Sequence, residues 1–190
     1  MKVTAGASTD IGQVREVNED SFILDQPLFA VADGMGGHRG GEVASKLALE
    51  TIGALFRGGE GGSLAEHVRA ANREVFGRSM LDPSVAGMGT TLTAALVEGS
   101  RVRLAHVGDS RAYQLRAGEI RLLTEDHTLV HRMVLEGEIT AEEAEVHPHR
   151  SVLTRALGVD VDVAVDEGAI DVRGGDRLLL CTDGLTAMLT

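Results

Sequence analysis

Four short acidic stretches fall where the apolar pattern of the chain breaks. They are Asn18-Glu19-Asp20 before Phe22–Leu24, Asp33-Gly34 after Leu28–Ala32, Gly108-Asp109-Ser110 after Arg101–Val107, and Asp183-Gly184 after Arg177–Cys181. A carboxylate at the end of an apolar strand is fixed in position and partly exposed. Several of them converging would repel one another strongly unless cations lay between them. Carboxylate and main-chain carbonyl oxygens are hard ligands that suit Mg²⁺ or Mn²⁺ rather than zinc. A glycine after the aspartate lets the chain turn tightly enough for its own carbonyl to face an ion. A lone Asp-Gly pair is ordinarily a turn, so the reading rests on the set.

Other chemistries find no support. Gly36–Glu42 has glycines but lacks the lysine of a P-loop, and neither Gly34–Arg39 nor Gly87–Leu92 completes a Gly-x-Gly-x-x-Gly pattern. The single cysteine, Cys181, lies in the apolar run Leu178–Cys181 without a nearby histidine, and reads as an inert core thiol. His106, inside an apolar strand, reads as a satisfied core residue. An aspartyl-nucleophile phosphatase is disfavoured, because Asp33 lacks an Asp-x-Asp arrangement.

The elements that must position the acids follow from periodicity. Strands are expected at Val3–Ser8, Phe22–Leu24 and Leu28–Ala32, the last ending at Asp33-Gly34. Gly41–Phe56 has helical spacing, and Ser63 with Glu66 forms a capping box for a second helix. Thr90–Val97, Arg101–Val107, Arg111–Arg116 and Glu119–Leu123 read as an antiparallel meander. Helical patterning returns over Thr128–Glu145, broken at Gly137 and capped at Thr140, with a short element at Arg150–Leu157. Val161–Ala169 and Arg177–Cys181 finish as strands, and Gly184–Thr190 begins a helix. Hairpin-linked strands interleaved with helix pairs indicate an α+β fold with antiparallel sheets.

A length of 190 residues gives one domain with a real core. Hydrophobic residues at 43% and charged residues at 25% fit a globular chain. A net charge of −11 argues against nucleic acid or an anionic membrane surface as partner. One cysteine excludes an internal disulfide framework and suits a reducing compartment. No apolar run has the length of a membrane span, and the N-terminus lacks a signal-peptide centre.

Five stretches in order resemble the metal-dependent, type 2C serine/threonine phosphatases, in their bacterial branch: Arg15–Asp20 (REVNED), Asp33–His38 (DGMGGH) followed by Gly40-Gly41-Glu42, Gly87–Thr91 (GMGTT), Val107–Tyr113 (VGDSRAY) and Thr182–Leu185 (TDGL). Thr124–Val130 and His147–Gly158 are similar to the segments flanking that family's mobile flap. The resemblance implies an α+β fold, a β-sandwich flanked by helices, formed by residues 1–190 as a single phosphatase-like domain. It implies a binuclear Mn²⁺ or Mg²⁺ centre in a channel between the sheets. Asp33 would hold both ions, Gly34 would offer its carbonyl, Asp183 would bind the second ion, and Asp20 and Glu19 would act directly or through water. By the same resemblance, Asp109 would belong to a weaker third site. Arg15 falls where the family holds the substrate phosphate. Some members carry a general-acid histidine directly after Asp-Gly; here that residue is Met35, and His38 is the nearest candidate.

The implied activity is hydrolysis of phosphoserine and phosphothreonine in proteins, by water activated between two ions and opposing a bacterial Ser/Thr kinase. The expected setting is the cytoplasm, and the expected state a monomer that binds phosphoproteins and no nucleic acid. Two departures support the alternative of an inactive fragment or pseudophosphatase acting as a phosphoprotein-binding or regulatory module. The family's C-terminal Asp-Asn pair is absent, so the domain is expected to be C-terminally incomplete, without its last helix and strands. Ala187 stands where bacterial members carry an aspartate that helps to hold the third ion.

Overall fold

The computed structural model describes residues 2–13, 15–36, 39–59 and 61–188. The larger of two antiparallel sheets contains β1 (Asp20–Asp25), β2 (Leu28–Met35), β4 (Leu92–Glu98), β5 (Arg101–Val107) and β8 (Asp166–Asp171), in that spatial order. The two-residue strand β3 (Gly89–Thr90) pairs with the end of β2. The second sheet orders β7 (Glu119–Leu122), β6 (Arg111–Arg116) and β9 (Arg177–Cys181). Strand and helix patterning thus yields the expected α+β sandwich.

Alternation in β2 decides which face goes where. Leu28, Ala30 and Ala32 are buried towards α1 (Gly40–Arg57) and α2 (Leu64–Leu81), against Ala44, Ala48 and Ile52 of the first helix and Val68, Ala71 and Val75 of the second. Alanines at these contacts let the helices lie close to the sheet. Helix α2 starts at the expected capping box, in which Ser63 accepts from the Glu66 amide and the Glu66 carboxylate accepts from the Ser63 amide. The opposite face of the larger sheet packs Ala95, Val102 and Leu104 onto Ala112, Leu178 and Leu180 of the second sheet. The outer side of that second sheet stays open among the described residues: β7 is exposed throughout, Ile120 at 64%.

Four expectations need correction. Residues 3–8 form no strand; they run unpaired among the described residues, because strand geometry holds only where a ladder supplies hydrogen-bond partners. The strand expected at Val161–Ala169 begins only at Asp166, where pairing with β5 starts at His106. Arg150–Leu157 is irregular and is anchored by isolated bridges at Leu153 and Leu157. The meander splits, with β6 and β7 leaving for the second sheet. Thr128–Glu145 resolves as expected into α3 (Leu129–Leu135) and α4 (Ala141–Glu145), the latter capped by Thr140. A single helical turn, α5 (Asp183–Thr186), follows β9; Leu189 and Thr190 lie outside the described residues. Among the described residues, no helix is long and apolar enough to cross a membrane.

Candidate metal centre

Asp33 sits within β2, and the strand does not end at it. The ladder carries on because Gly34 pairs with Thr90 and Met35 with Gly89. Across the β1–β2 ladder Asp33 lies opposite Asp20. The end of β9 is brought to the same place by Thr182, whose hydroxyl donates to Asp20 Oδ2 at 2.8 Å. Asp183 follows, so three acids distant in sequence meet at one mouth of the sandwich, with Asp109 beyond the end of β5.

Their mutual repulsion shows in their protonation. Burial, and then the charges of Asp20 and Asp183, push Asp33 up to about 8. Asp20 is also raised, chiefly by burial and then by Asp183, against the pull of its Thr182 hydrogen bond. Asp109 is raised to about 6 by burial, Asp183 and Asp126. Among the described residues no three acid, imidazole or thiol groups form a closed ion cage. The acids instead form an open set whose burial and crowding call for positive charge, from protons or from cations. A divalent cation supplies it better, since it leaves every carboxylate ionised. The donor set, all hard oxygens, therefore fits Mg²⁺ or Mn²⁺.

The main chain around the acids leaves no room for side chains. A Cβ on Gly34 would run into the carbonyl of Gly41, and one on Gly41 would run into the carboxylate of Glu19. The start of α1 is thereby pressed onto the Asp-Gly corner. Glu19 is held by its backbone: its carbonyl accepts from the Gly34 amide at 3.1 Å and from the Ser45 hydroxyl at 2.6 Å. Its carboxylate pairs with Arg15 at 2.5 Å, and the Arg15 side chain is 72% exposed. His38 lies outside the described residues.

Sequence reasoning missed the residues that hold the acids. Thr91 enters there only as part of a strand and a motif, yet its Oγ1 accepts from the Asp33 amide at 2.9 Å and meets Ser110 Oγ at 2.7 Å, while its own amide donates to the Asp33 carbonyl. Thr90 Oγ1 also donates to that carbonyl. One pair of threonines thus registers Asp33 against the turn bearing Asp109. The adjacent Thr-Thr after Gly89 and the threonine before Asp183 were the available signals. His106 is the buried core residue expected, bonded to Thr93 Oγ1 and the Glu125 carbonyl. Cys181 is buried, which pushes its thiol up and away from nucleophilic use.

The model of the protein phosphatase 2C family matches residues 13–190. The chain belongs to that family. Over 185 residues it is 46% identical to the serine/threonine protein phosphatase PstP of Mycobacterium tuberculosis, covering 95% of this chain and 36% of that protein. This phosphatase 2C chain thus spans about a third of that relative. It is 42% identical to the serine/threonine phosphatase stp of Listeria monocytogenes, covering 95% of this chain and 77% of the other. A crystal structure of the mycobacterial PstP superposes with a TM-score of 0.87 at 45% identity, covering 94% of this chain and 77% of that one. A second, of the PstP catalytic domain with two manganese ions, gives 0.83 at 43% identity, with coverages of 94% and 76%. The phosphatase 2C fold is therefore the fold of this chain.

Proposed function

We propose that residues 1–190 act as one phosphatase domain that hydrolyses phosphoserine and phosphothreonine in proteins with two divalent cations, Mn²⁺ or Mg²⁺. The convergence of Asp20, Asp33 and Asp183 carries this reading. Family membership and a manganese-loaded structure of a relative at 43% identity support it. Asp33 would hold both cations, with Asp183 on one of them, the Gly34 carbonyl on the other, and Asp20 and Glu19 completing the set directly or through water. When bound, the pair of cations supplies an activated water and offsets charge on the phosphoryl oxygens.

The chain's own residues provide the positioning. Thr182 holds the Asp20 carboxylate, and Thr90 and Thr91 hold the backbone of Asp33. Arg15, on the exposed rim, offers a planar donor fork to an incoming phosphate once it leaves Glu19. His38 is the nearest candidate to protonate the leaving alcohol. The substrates are phosphoproteins made by Ser/Thr kinases of a cytoplasm, and the working form is a monomer.

The test is hydrolysis of an aryl phosphate and of a phosphothreonine peptide by the purified chain with and without Mn²⁺. Turnover that needs Mn²⁺ and disappears in Asp33→Ala is the expected result. Mn²⁺ binding without turnover would instead point to the inactive fragment or pseudophosphatase, a phosphoprotein-binding or regulatory module.

A further inference from the structure

The turn that carries Asp109 is gripped from both sides, and one grip comes from a residue outside the acidic set. Gly108 has φ +111°, and a Cβ there would lie 2.6 Å from Thr91 Cβ, so its backbone is pressed flat on Thr91. On the other side the Gly108 amide donates to His127 Nδ1 at 3.0 Å, and the His127 amide donates back to the Gly108 carbonyl at 2.8 Å. A backbone N–H can only donate, so Nδ1 is the bare nitrogen and Nε2 carries the proton. That proton points at Asp166 Oδ2, 3.2 Å away, and Asp166 Oδ1 is held by Arg155 at 2.6 Å. The His127 side chain is 3% exposed. Its neighbours on the same strap continue the grip: Asp126 takes the Arg111 fork, Glu125 accepts from His106, and Thr124 accepts from the Ala112 amide.

We infer that His127 is a positioning residue for Asp109, fixing through the Gly108 peptide where that carboxylate can meet a cation. The inference rests on the metal-centre reading above. Asp109 sits on that turn within reach of the Asp183 charge, and its hold on an ion depends on how firmly the turn is fixed. A group that orients a ligand through a hydrogen bond typically changes metal affinity by about 10–100-fold when it is lost.

Asparagine and glutamine separate the two ends of the ring. In His127→Asn the amide oxygen takes the place of Nδ1 and can still accept from Gly108. In His127→Gln the polar group takes the place of Nε2, keeping Asp166 but leaving the Gly108 amide unpaired. Mn²⁺ titrations of the full chain, followed by calorimetry and electron paramagnetic resonance, should show an Asp109-dependent component that Asp109→Asn removes. His127→Gln should weaken that component by about tenfold, while His127→Asn stays within about twofold of the parent. His127→Gln added to Asp109→Asn should change nothing further. Parental Mn²⁺ binding in His127→Gln, or equal losses in both variants, would overturn the inference. Asp33→Asn provides the control: if it too leaves Mn²⁺ binding intact, the metal centre itself is wrong, whereas its loss beside an unaffected His127→Gln sinks the role of His127 alone. Should His127→Gln fail to fold, amide exchange of the unsubstituted chain decides. Gly108 must exchange far more slowly than the exposed turn glycine Gly118, and equal rates overturn the proposal.

Discussion

Asp20 and Asp33 face each other as direct partners across the β1–β2 ladder, two carboxylates where a sheet would ordinarily place an apolar or oppositely charged pair. Like charges directly opposite weaken a sheet, so the site is held at a cost to the fold. Replacing Asp33 by Asn should stabilise the metal-free chain by about 1 kcal/mol or more. The same change should abolish the rise in melting temperature on adding Mn²⁺. Thermal melts of both proteins with and without Mn²⁺ check this; a destabilised metal-free Asp33→Asn would contradict it.

Thr91 satisfies the Asp33 amide with its hydroxyl. Thr91→Val keeps the shape and leaves that buried donor unpaired, at about 1–3 kcal/mol. Thr91→Ser restores the acceptor and should recover most of the loss. Urea denaturation of the three proteins measures the difference.

Gly34 has no space for a methyl group, because the carbonyl of Gly41 occupies it. Gly34→Ala must move backbone rather than a flexible side chain, and should cost about 3 kcal/mol. The shift of the urea midpoint reports it, and a shift below about 0.5 kcal/mol would mean that α1 is free to withdraw.

Arg15 is exposed, and among the described residues its side chain pairs with Glu19. Its removal should leave stability within about 0.5 kcal/mol of the parent. If it receives the phosphate, Arg15→Ala should raise KM for an aryl phosphate by about tenfold or more, in line with the loss of a charged hydrogen bond. An unchanged KM would remove Arg15 from the substrate site.

His106 provides a pH dependence away from the acids. Burial, and then the proximity of His127, lower it to about 4, against small upward pulls from the Glu125 carbonyl, Asp166 and Asp126. The unfolded chain, with an ordinary histidine near 6.5, binds the proton more readily than the native state. Stability from this group is therefore complete above about pH 6.5 and falls progressively towards pH 4, by on the order of 3 kcal/mol. His127 is lowered as well, by its burial, and adds in the same direction. His106→Gln should flatten the acid limb of a stability–pH curve. An unaltered limb would show that other groups dominate acid unfolding.

How much could be read from the residues alone varied with the kind of interaction. Helix α2 was legible because Ser63 and Glu66 bond within four residues of each other. The acids Asp20, Asp33, Asp109 and Asp183 were legible because each follows or precedes an apolar run. Residues 3–8 look like a strand by alternation, but pairing is a tertiary fact that alternation does not contain. Asp33 was expected at the end of its strand because Gly34 resembles a stop. The two-residue partner β3, which prolongs the ladder, comes from more than fifty residues away. His127 and Thr91 went unnoticed because they bond backbone atoms far away along the chain, those of Gly108 and Asp33, and a backbone amide has no letter of its own.

The bond from Thr182 to Asp20 spans 162 positions. On a ribosome, Asp20 and Asp33 emerge long before residue 182 has been translated, so the nascent chain carries both carboxylates with nothing yet to anchor one of them. The meeting place of these acids is thus among the last parts of the molecule to be completed, and a half-made chain cannot acquire it early. The proposed metal centre can be completed only once the sandwich has closed.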